Sequence, residues 1–137
     1  MTYLVDANVL SEPTRPESAI DVIEWLRRNE RKIAVDPVII GEIRFGILTL
    51  PRGKRRARLE RWFDGGVRRL RCLTWEAETG LRWAELLARL RASGRSMPIK
   101  DSMIAATALL HGLTVVTRNR GDFEKAGVEV VNPFPSS

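Results

Sequence analysis

Apolar residues along the chain fall into short runs separated by longer amphipathic stretches. Tyr3 to Val5 is one such run; it reaches Asp6 at once and gives way to Ser11, Glu12, Pro13, Thr14 and Pro16, the composition of a strand ending in a loop. From Ser18, a residue suited to an N-cap, to Asn29, the apolar positions Ile20, Ile23 and Leu26 recur at helical spacing, and Ile33 to Val35 read as a second strand. Asp36-Pro37 marks a helix start, because Asp can bond free backbone amides and Pro is tolerated at the first helical position. That helix carries Val38, Ile39, Ile40, Ile43, Phe45, Ile47 and Leu48, so most of its surface is apolar, with Glu42 among them. An arginine-rich helix, Lys54 to Phe63, ends at Gly65-Gly66, and Leu70 to Leu73 can form a third strand. Thr74 begins a long helix with Trp75, Leu81, Ala84, Leu87 and Leu90 on its apolar side, stopped by Ser93-Gly94. After a loop with Pro98, Lys100-Asp101-Ser102 introduces a strongly apolar helix, Met103 to Leu110, with Gly112 as its stop. A buried-type strand, Leu113 to Val116, a polar turn, Thr117 to Asp122, and a short strand, Val128 to Val131, complete the pattern.

The strands alternate with helices and lack the polar alternation of a sheet with one wet face. This predicts an α/β fold, a three-layer α/β/α sandwich around a short-stranded parallel sheet covered on both faces. Ligands of such sheets gather beyond the carboxyl ends of the strands, where Asp6 and the segment Thr117 to Asp122 both fall. One domain over residues 1–132 is expected, with 133–137 a loose tail, since 137 residues with 44% hydrophobic content can close a single core. No apolar run approaches the roughly 18 residues of a membrane span, and the start lacks a basic leader with a cleavage signal, so the expected location is the cytoplasm, without a membrane partner. The single cysteine, Cys72, lies between apolar neighbours with no disulfide partner and is expected in the core.

The net charge of +6 arises from 23 basic and 17 acidic residues, and most of the basic ones are arginine, whose fork donates two hydrogen bonds to phosphate. A polyanionic partner fits this balance. The run Arg52 to Arg61 reads either as a solvated helix face or as a guide for a phosphate backbone, with Arg55, Arg56 and Arg58 as its contacts. Trp25, Trp62, Trp75 and Trp83 could stack bases, but on helices they more often pack a core or an interface.

Three acids stand out. Asp6 at a strand tip can cap a turn or bind a ligand. Glu42 shares a helical face with Val38 and Phe45, and a carboxylate among apolar neighbours needs a metal, another cation or an arginine such as Arg44. Asp101, ahead of an apolar helix, can simply cap it and complement its dipole. Together they can converge at one end of the sheet, where clustered carboxylates repel unless a cation lies between them, and all-oxygen ligands suit Mg²⁺ or Mn²⁺. The only histidine, His111, ends an apolar helix, which points to a structural role and leaves no serine–histidine or cysteine–histidine device.

The segments YLVDANVLSE, VIIGEIRFGI with its glutamate, IKDSMIAATALLHGLTVVTRNRGDF and VEVVNPF follow one another at a spacing that spans nearly the whole chain. They resemble the successive signatures of PIN domains, and specifically of VapC-type toxins, the toxin half of bacterial toxin–antitoxin pairs. The resemblance implies a magnesium-dependent endoribonuclease in which Asp6, Glu42 and Asp101 are catalytic and hold Mg²⁺, with Mn²⁺ able to substitute. Thr117, Asn119 and Asp122 belong to the segment that commonly supplies a fourth ligand. Related sequences often carry an acid directly after Thr-Arg, where this chain has Asn119; an amide adds no negative charge, which favours one well-held ion over a fixed pair. Mg²⁺ held mainly by Asp6 and Asp101 then acidifies a water that Glu42 positions or deprotonates, leaving a 5′-phosphate and a 3′-hydroxyl. Arg118 joins the three helical arginines as a candidate RNA contact. The implied partners are an RNA substrate, a cognate antitoxin and a second copy of the chain in a homodimer, with operator DNA engaged only through the antitoxin.

Two other readings compete. A haloacid-dehalogenase-like phosphatase needs a second acid two residues after the first, where Asn8 stands. A non-catalytic RNA- or protein-binding module, its acids paired with the abundant arginines, stays open on the sequence alone.

Overall fold

A computed structural model describes residues 2–136 of the chain. Five short strands, β1 (Tyr3–Val5), β2 (Ile33–Val35), β3 (Arg71–Cys72), β4 (Thr114–Val116) and β5 (Val130–Val131), form one parallel sheet in the order β3-β2-β1-β4-β5. Seven helices flank it: α1 (Ala7–Leu10), α2 (Ile20–Arg28), α3 (Pro37–Leu48), α4 (Lys54–Gly65), α5 (Ala77–Ala92), α6 (Ile99–His111) and α7 (Arg120–Glu124). The α/β architecture expected from the sequence is therefore present. Leu4, Val5, Ala34, Val35, Val115 and Val116 are fully buried, the state of strands covered on both faces. The sheet grows outward from β1 to β3, then returns to the other side of β1 for β4 and β5, so its order reverses between β1 and β4.

Several boundaries differ from the pattern in the sequence, each for a local reason. Helix α2 starts after Ala19 rather than Ser18 and has no side-chain cap, while the Ala19 amide donates to Glu12 Oε2 at 2.8 Å and ties the helix start to the preceding 3-10 turn. Helix α5 starts at Ala77 because Glu76 and Thr79 form a reciprocal capping box there. Helix α6 begins at Ile99, four residues early, which moves Asp101 from a capping position into the first turn. The loop expected after Asp6 contains α1 and a 3-10 turn, Glu12–Thr14, and the polar turn after Thr117 contains α7. Gly112 does end α6, in the left-handed region at φ 66°.

Three expectations are corrected. Cys72 is exposed, because β3 is a two-residue edge strand and the core at that edge is supplied by Val67 and Leu73. The face of α3 that carries Glu42 is less apolar than its spacing implied: Ile39, Ile43 and Ile47 are buried while Phe45 is exposed. The tail is not loose at Phe134, which packs partly buried against the core beneath the Arg118 guanidinium, 4.3 Å from its ring centroid; Ser137 lies outside the described residues.

A buried polar network joins the layers. Asp36, fully buried at the end of β2, accepts the Ile39 amide at 2.9 Å through Oδ1 and so caps α3. Its Oδ2 accepts the Thr107 hydroxyl at 2.7 Å from α6, and that hydroxyl accepts Trp75 Nε1 at 3.1 Å. Trp75 stands edge-on to Trp83, whose Nε1 donates to Ser102 Oγ at 2.9 Å. These bonds fix α3 against α6, the two helices that carry Glu42 and Asp101. A Thr107→Val substitution keeps the shape but strips a buried carboxylate oxygen and an indole of their partner. It is expected to cost on the order of 1–3 kcal/mol, read as a lower urea midpoint with an unchanged m value; an unchanged midpoint would remove the network from this role.

Candidate active site

The reversal of strand order opens a crevice at the carboxyl ends of β1 and β4, and both strands end in a polar side chain there. Asp6 leaves β1 in extended conformation and caps α1, its Oδ1 accepting the Ala7 amide at 2.8 Å. Its Oδ2 accepts the Thr117 hydroxyl at 2.8 Å from the end of β4. That hydroxyl also accepts the Asn119 amide at 3.0 Å and Asn8 Nδ2 at 3.4 Å, while Asn8 Oδ1 accepts the Arg118 amide at 3.2 Å. With its single proton committed to Asp6, Thr117 acts as an orienting group for that carboxylate. Asn119 is exposed and contributes its backbone amide to this net.

Glu42 projects from α3 and Asp101 from the first turn of α6. Glu42 Oε2 accepts Lys100 Nζ at 2.6 Å, and Oε1 is buried with no hydrogen-bond donor. The cation beside Glu42 is thus a lysine rather than the arginine weighed from the sequence; Arg44 instead lies over the Phe63 ring at 5.5 Å. Asp101 is buried and feels the charges of Lys100, Asp122 and Glu42. Asp122 also pairs with Lys125 at 3.6 Å. Burial pushes the Asp6 carboxyl up to about 6; the Thr117 hydrogen bond opposes this, and the charges of Glu42 and Asp101 add to it. Burial likewise raises Asp101, against the pull of Lys100. The structure thus brings Asp6, Glu42 and Asp101 into one electrostatic neighbourhood, with Asp122 at its margin. Among the described residues, no three acid, histidine or cysteine side chains already close around a single point.

The expected RNA-contacting arginines separate. Arg55 lines a groove of about 320 Å³ together with Asn8, Glu42, Ile43, Ile47 and Trp62. Arg118 is tied through its amide to Asn8. Arg56 turns away, bonded to Glu60 at 2.8 Å and to the Leu50 carbonyl at 3.3 Å, and Arg58 lines a neighbouring hollow with Pro13, Thr14 and Trp62. Trp25 packs on Tyr3 and Trp75 on Trp83, leaving Trp62 as the groove tryptophan, while exposed His111 stands at the far end of α6 from Asp101. Two site residues, Asn8 and Lys100, had no part in the site read from the sequence. Lys100 carried no signal in the sequence, because it enters the first turn of α6 only through the earlier start of that helix at Ile99.

An Asp carboxyl raised from its ordinary 3.8 to about 6 binds its proton more tightly in the folded chain, so its contribution to stability falls as pH rises from 3.8 through about 6. With chelator present, Asp6→Asn should remove this part of the slope. It should be more stable than wild type at pH 7 by about 1–2 kcal/mol, because Asn buries no charge although it gives up one hydrogen bond. Denaturant titrations at pH 4, 5.5 and 7 measure this, and parallel curves for the two proteins would contradict it.

The sequence pattern of the PIN domain matches residues 3–129. The chain is 36% identical to the plasmid stability protein StbB of Pseudomonas syringae pv. tomato over 96% of its own length and 97% of the relative's. It is 32% identical to the VapC ribonuclease Y4jK of Sinorhizobium fredii over 96% of each. A crystal structure of FitAcB from Neisseria gonorrhoeae superposes with a TM-score of 0.90 at 32% identity, covering 96% of this chain and 98% of that one. A pattern match over nearly the whole chain, relatives of this identity and full-length structural agreement make one conclusion plain: the chain belongs to the PIN-domain family, in its VapC branch.

Proposed function

We infer that the chain is an endoribonuclease toxin of a toxin–antitoxin pair, working through a divalent cation at the Asp6, Glu42 and Asp101 carboxylates. The observation that carries the reading is the buried, donorless Oε1 of Glu42 beside two further buried acids. An oxygen-only set with an unspent lone pair and surplus negative charge fits a hard ion, Mg²⁺ or Mn²⁺, held by Asp6 and Asp101 with Glu42 beside them. Such an ion, when bound, supplies neutralisation of the scissile phosphate and a more acidic water. The Ala7 amide and the Thr117 hydroxyl hold Asp6 in one orientation. The donorless oxygen of Glu42 is the acceptor for the proton of the attacking water. Water oxygen bonds to phosphorus, the 3′-oxygen leaves and takes a proton from solvent, and the products carry a 5′-phosphate and a 3′-hydroxyl. Arg55 in the groove and exposed Arg118, on the loop whose amide meets groove residue Asn8, are the contacts for neighbouring phosphates. Asn119, bringing no charge to the fourth position, supports one ion rather than two.

The same groove supports the partner reading. Its apolar lining of Ile43, Ile47, Leu59 and Trp62 leads to the acids and suits an inserted antitoxin segment bearing an arginine. Exposed Leu81 and Ile99 offer apolar surface for a homodimer, and operator DNA is reached through the antitoxin. No helix among the described residues is long and apolar enough to cross a membrane, and we place the site of action in the cytoplasm. The Lys100–Glu42 pair is the one observation that favours a non-catalytic module instead.

In excess MgCl₂, Asp6→Asn and Asp101→Asn should each lose RNA cleavage by about 10²-fold or more. Fragments from the wild type should be open to a 5′-phosphate-dependent exonuclease. Undiminished cleavage by both variants, or fragments with 2′,3′-cyclic phosphates, would rule out the mechanism. For binding of a cleavage-dead protein to RNA, Arg55→Ala and Arg118→Ala should each lower the slope of log affinity against log salt by about 1. Arg56→Ala should leave that slope unchanged; an equal effect in all three would make the arginines a general basic face.

A further inference from the structure

Lys100 occupies an unusual place for a lysine. The first turn of α6 already presents the positive end of the helix dipole, so the ammonium gains nothing from its own helix. It is held by acids from other elements. Nζ donates to Glu42 Oε2 at 2.6 Å, joining α6 to α3. The hydrogen bond to Glu42 raises the lysine pKa, partial burial opposes it, and the charges of Glu42, Asp101 and Asp6 reinforce it. The side chain is nonetheless 48% exposed, so the ammonium approaches the acids from the solvent side and can withdraw into water without disturbing the packing of α6.

The partner is as informative. Glu42 gives one oxygen to Lys100 and keeps the other buried without a donor. A purely structural ion pair ordinarily also finds a donor for any oxygen it buries, because an unpaired buried oxygen is costly. One ammonium also stands against three carboxylates, a balance that leaves negative charge in excess. As placed, the acids do not close around one point. The bond to Lys100 holds one oxygen of Glu42 to that ammonium.

We propose that Lys100 is a built-in counter-ion that competes with the divalent cation for Glu42, so that the ion gains this carboxylate only as the ammonium withdraws into solvent. The inference rests on the metal reading given above and adds a property of this chain's own residue. An ammonium held on Glu42 Oε2 and a doubly charged ion approaching the same carboxylate repel one another, and breaking a short charge-assisted hydrogen bond to relieve that repulsion weakens ion binding by that amount. In return, the cluster is partly neutralised whenever no ion is bound, which limits the repulsion that buried acids impose on the fold.

Calorimetric titration of the full chain with MnCl₂, after removal of divalent ions, tests this on wild type, Lys100→Met, Lys100→Gln and Lys100→Arg. The two neutral variants should bind Mn²⁺ about tenfold more tightly than wild type, and Lys100→Arg should stay near the wild-type affinity. With EDTA, the neutral variants should unfold at lower urea than wild type and gain more from added Mn²⁺. Equal or weaker Mn²⁺ binding by both neutral variants, with wild type still binding, overturns the competition and leaves the metal reading standing. Tighter binding by Lys100→Arg as well overturns it too, because the charge would then not be the cause. No Mn²⁺ binding by any of the four overturns both.

Discussion

The hydrogen bond from the Thr117 hydroxyl to Asp6 joins the ends of the two strands between which the sheet changes direction. Both groups are buried, and the bond runs between residues 111 positions apart in sequence. A parallel sheet leaves the amides and carbonyls at its carboxyl edge without further strand partners, so whatever stands there must complete the hydrogen bonding. Here Asp6, Asn8, Thr117 and the amides of residues 7, 118 and 119 complete it among themselves. The cost is a carboxylate kept from water, and the rest of the site follows from that: the raised affinity of Asp6 for its proton, its sensitivity to Glu42 and Asp101, and the need for positive charge nearby.

Glu42 and Asp101 reach this edge by a different route, on helices whose mutual placement depends on the interior. Asp36 ends β2 as Asp6 ends β1, and it too caps the helix that follows. Both of its oxygens are occupied by protein donors, and the Thr107 bond sets α6 against α3. Two strand-end aspartates thus divide the work, one locking the scaffold and the other facing the crevice. The difference between them is visible in their partners and not in their local sequence.

That division marks the limit of what the residues disclosed before folding. The strands and the helices α2 to α6 follow from runs of Ile, Val and Leu and from helical spacing, and the parallel sheet follows from their alternation. Asp6 and Asp101 stood out mainly through the resemblance to PIN domains, since each could equally cap a turn or a helix, whereas Glu42 stood out because its neighbours in sequence are apolar. Their surroundings were less legible. The spacing of Val38, Glu42 and Phe45 suggested an apolar setting for Glu42, yet packing turned the buried face of α3 toward Ile39, Ile43 and Ile47. The early start of α6 placed Lys100 within reach of Glu42, a contact across 58 residues that no local pattern encodes. Cys72 was misjudged for a related reason: an apolar neighbourhood in sequence says nothing about lying on a sheet edge. Composition marked the arginines as a class, whereas their division into groove-facing Arg55 and inward-bonded Arg56 depends on helix rotation about a single turn.

The stacking of Arg118 on Phe134 carries the site's reach to the last residues of the fold. Arg118 lies between Thr117 and Asn119, so the aromatic ring that braces its guanidinium also braces the loop whose amides finish the Asp6 net. The segment after β5 is therefore a strut for the crevice rather than a trailing end. A fusion partner, affinity tag or cleavage placed around Phe134 disturbs the brace on the loop that adjoins Thr117, so a handle at that end is not a neutral choice when the crevice itself is under study.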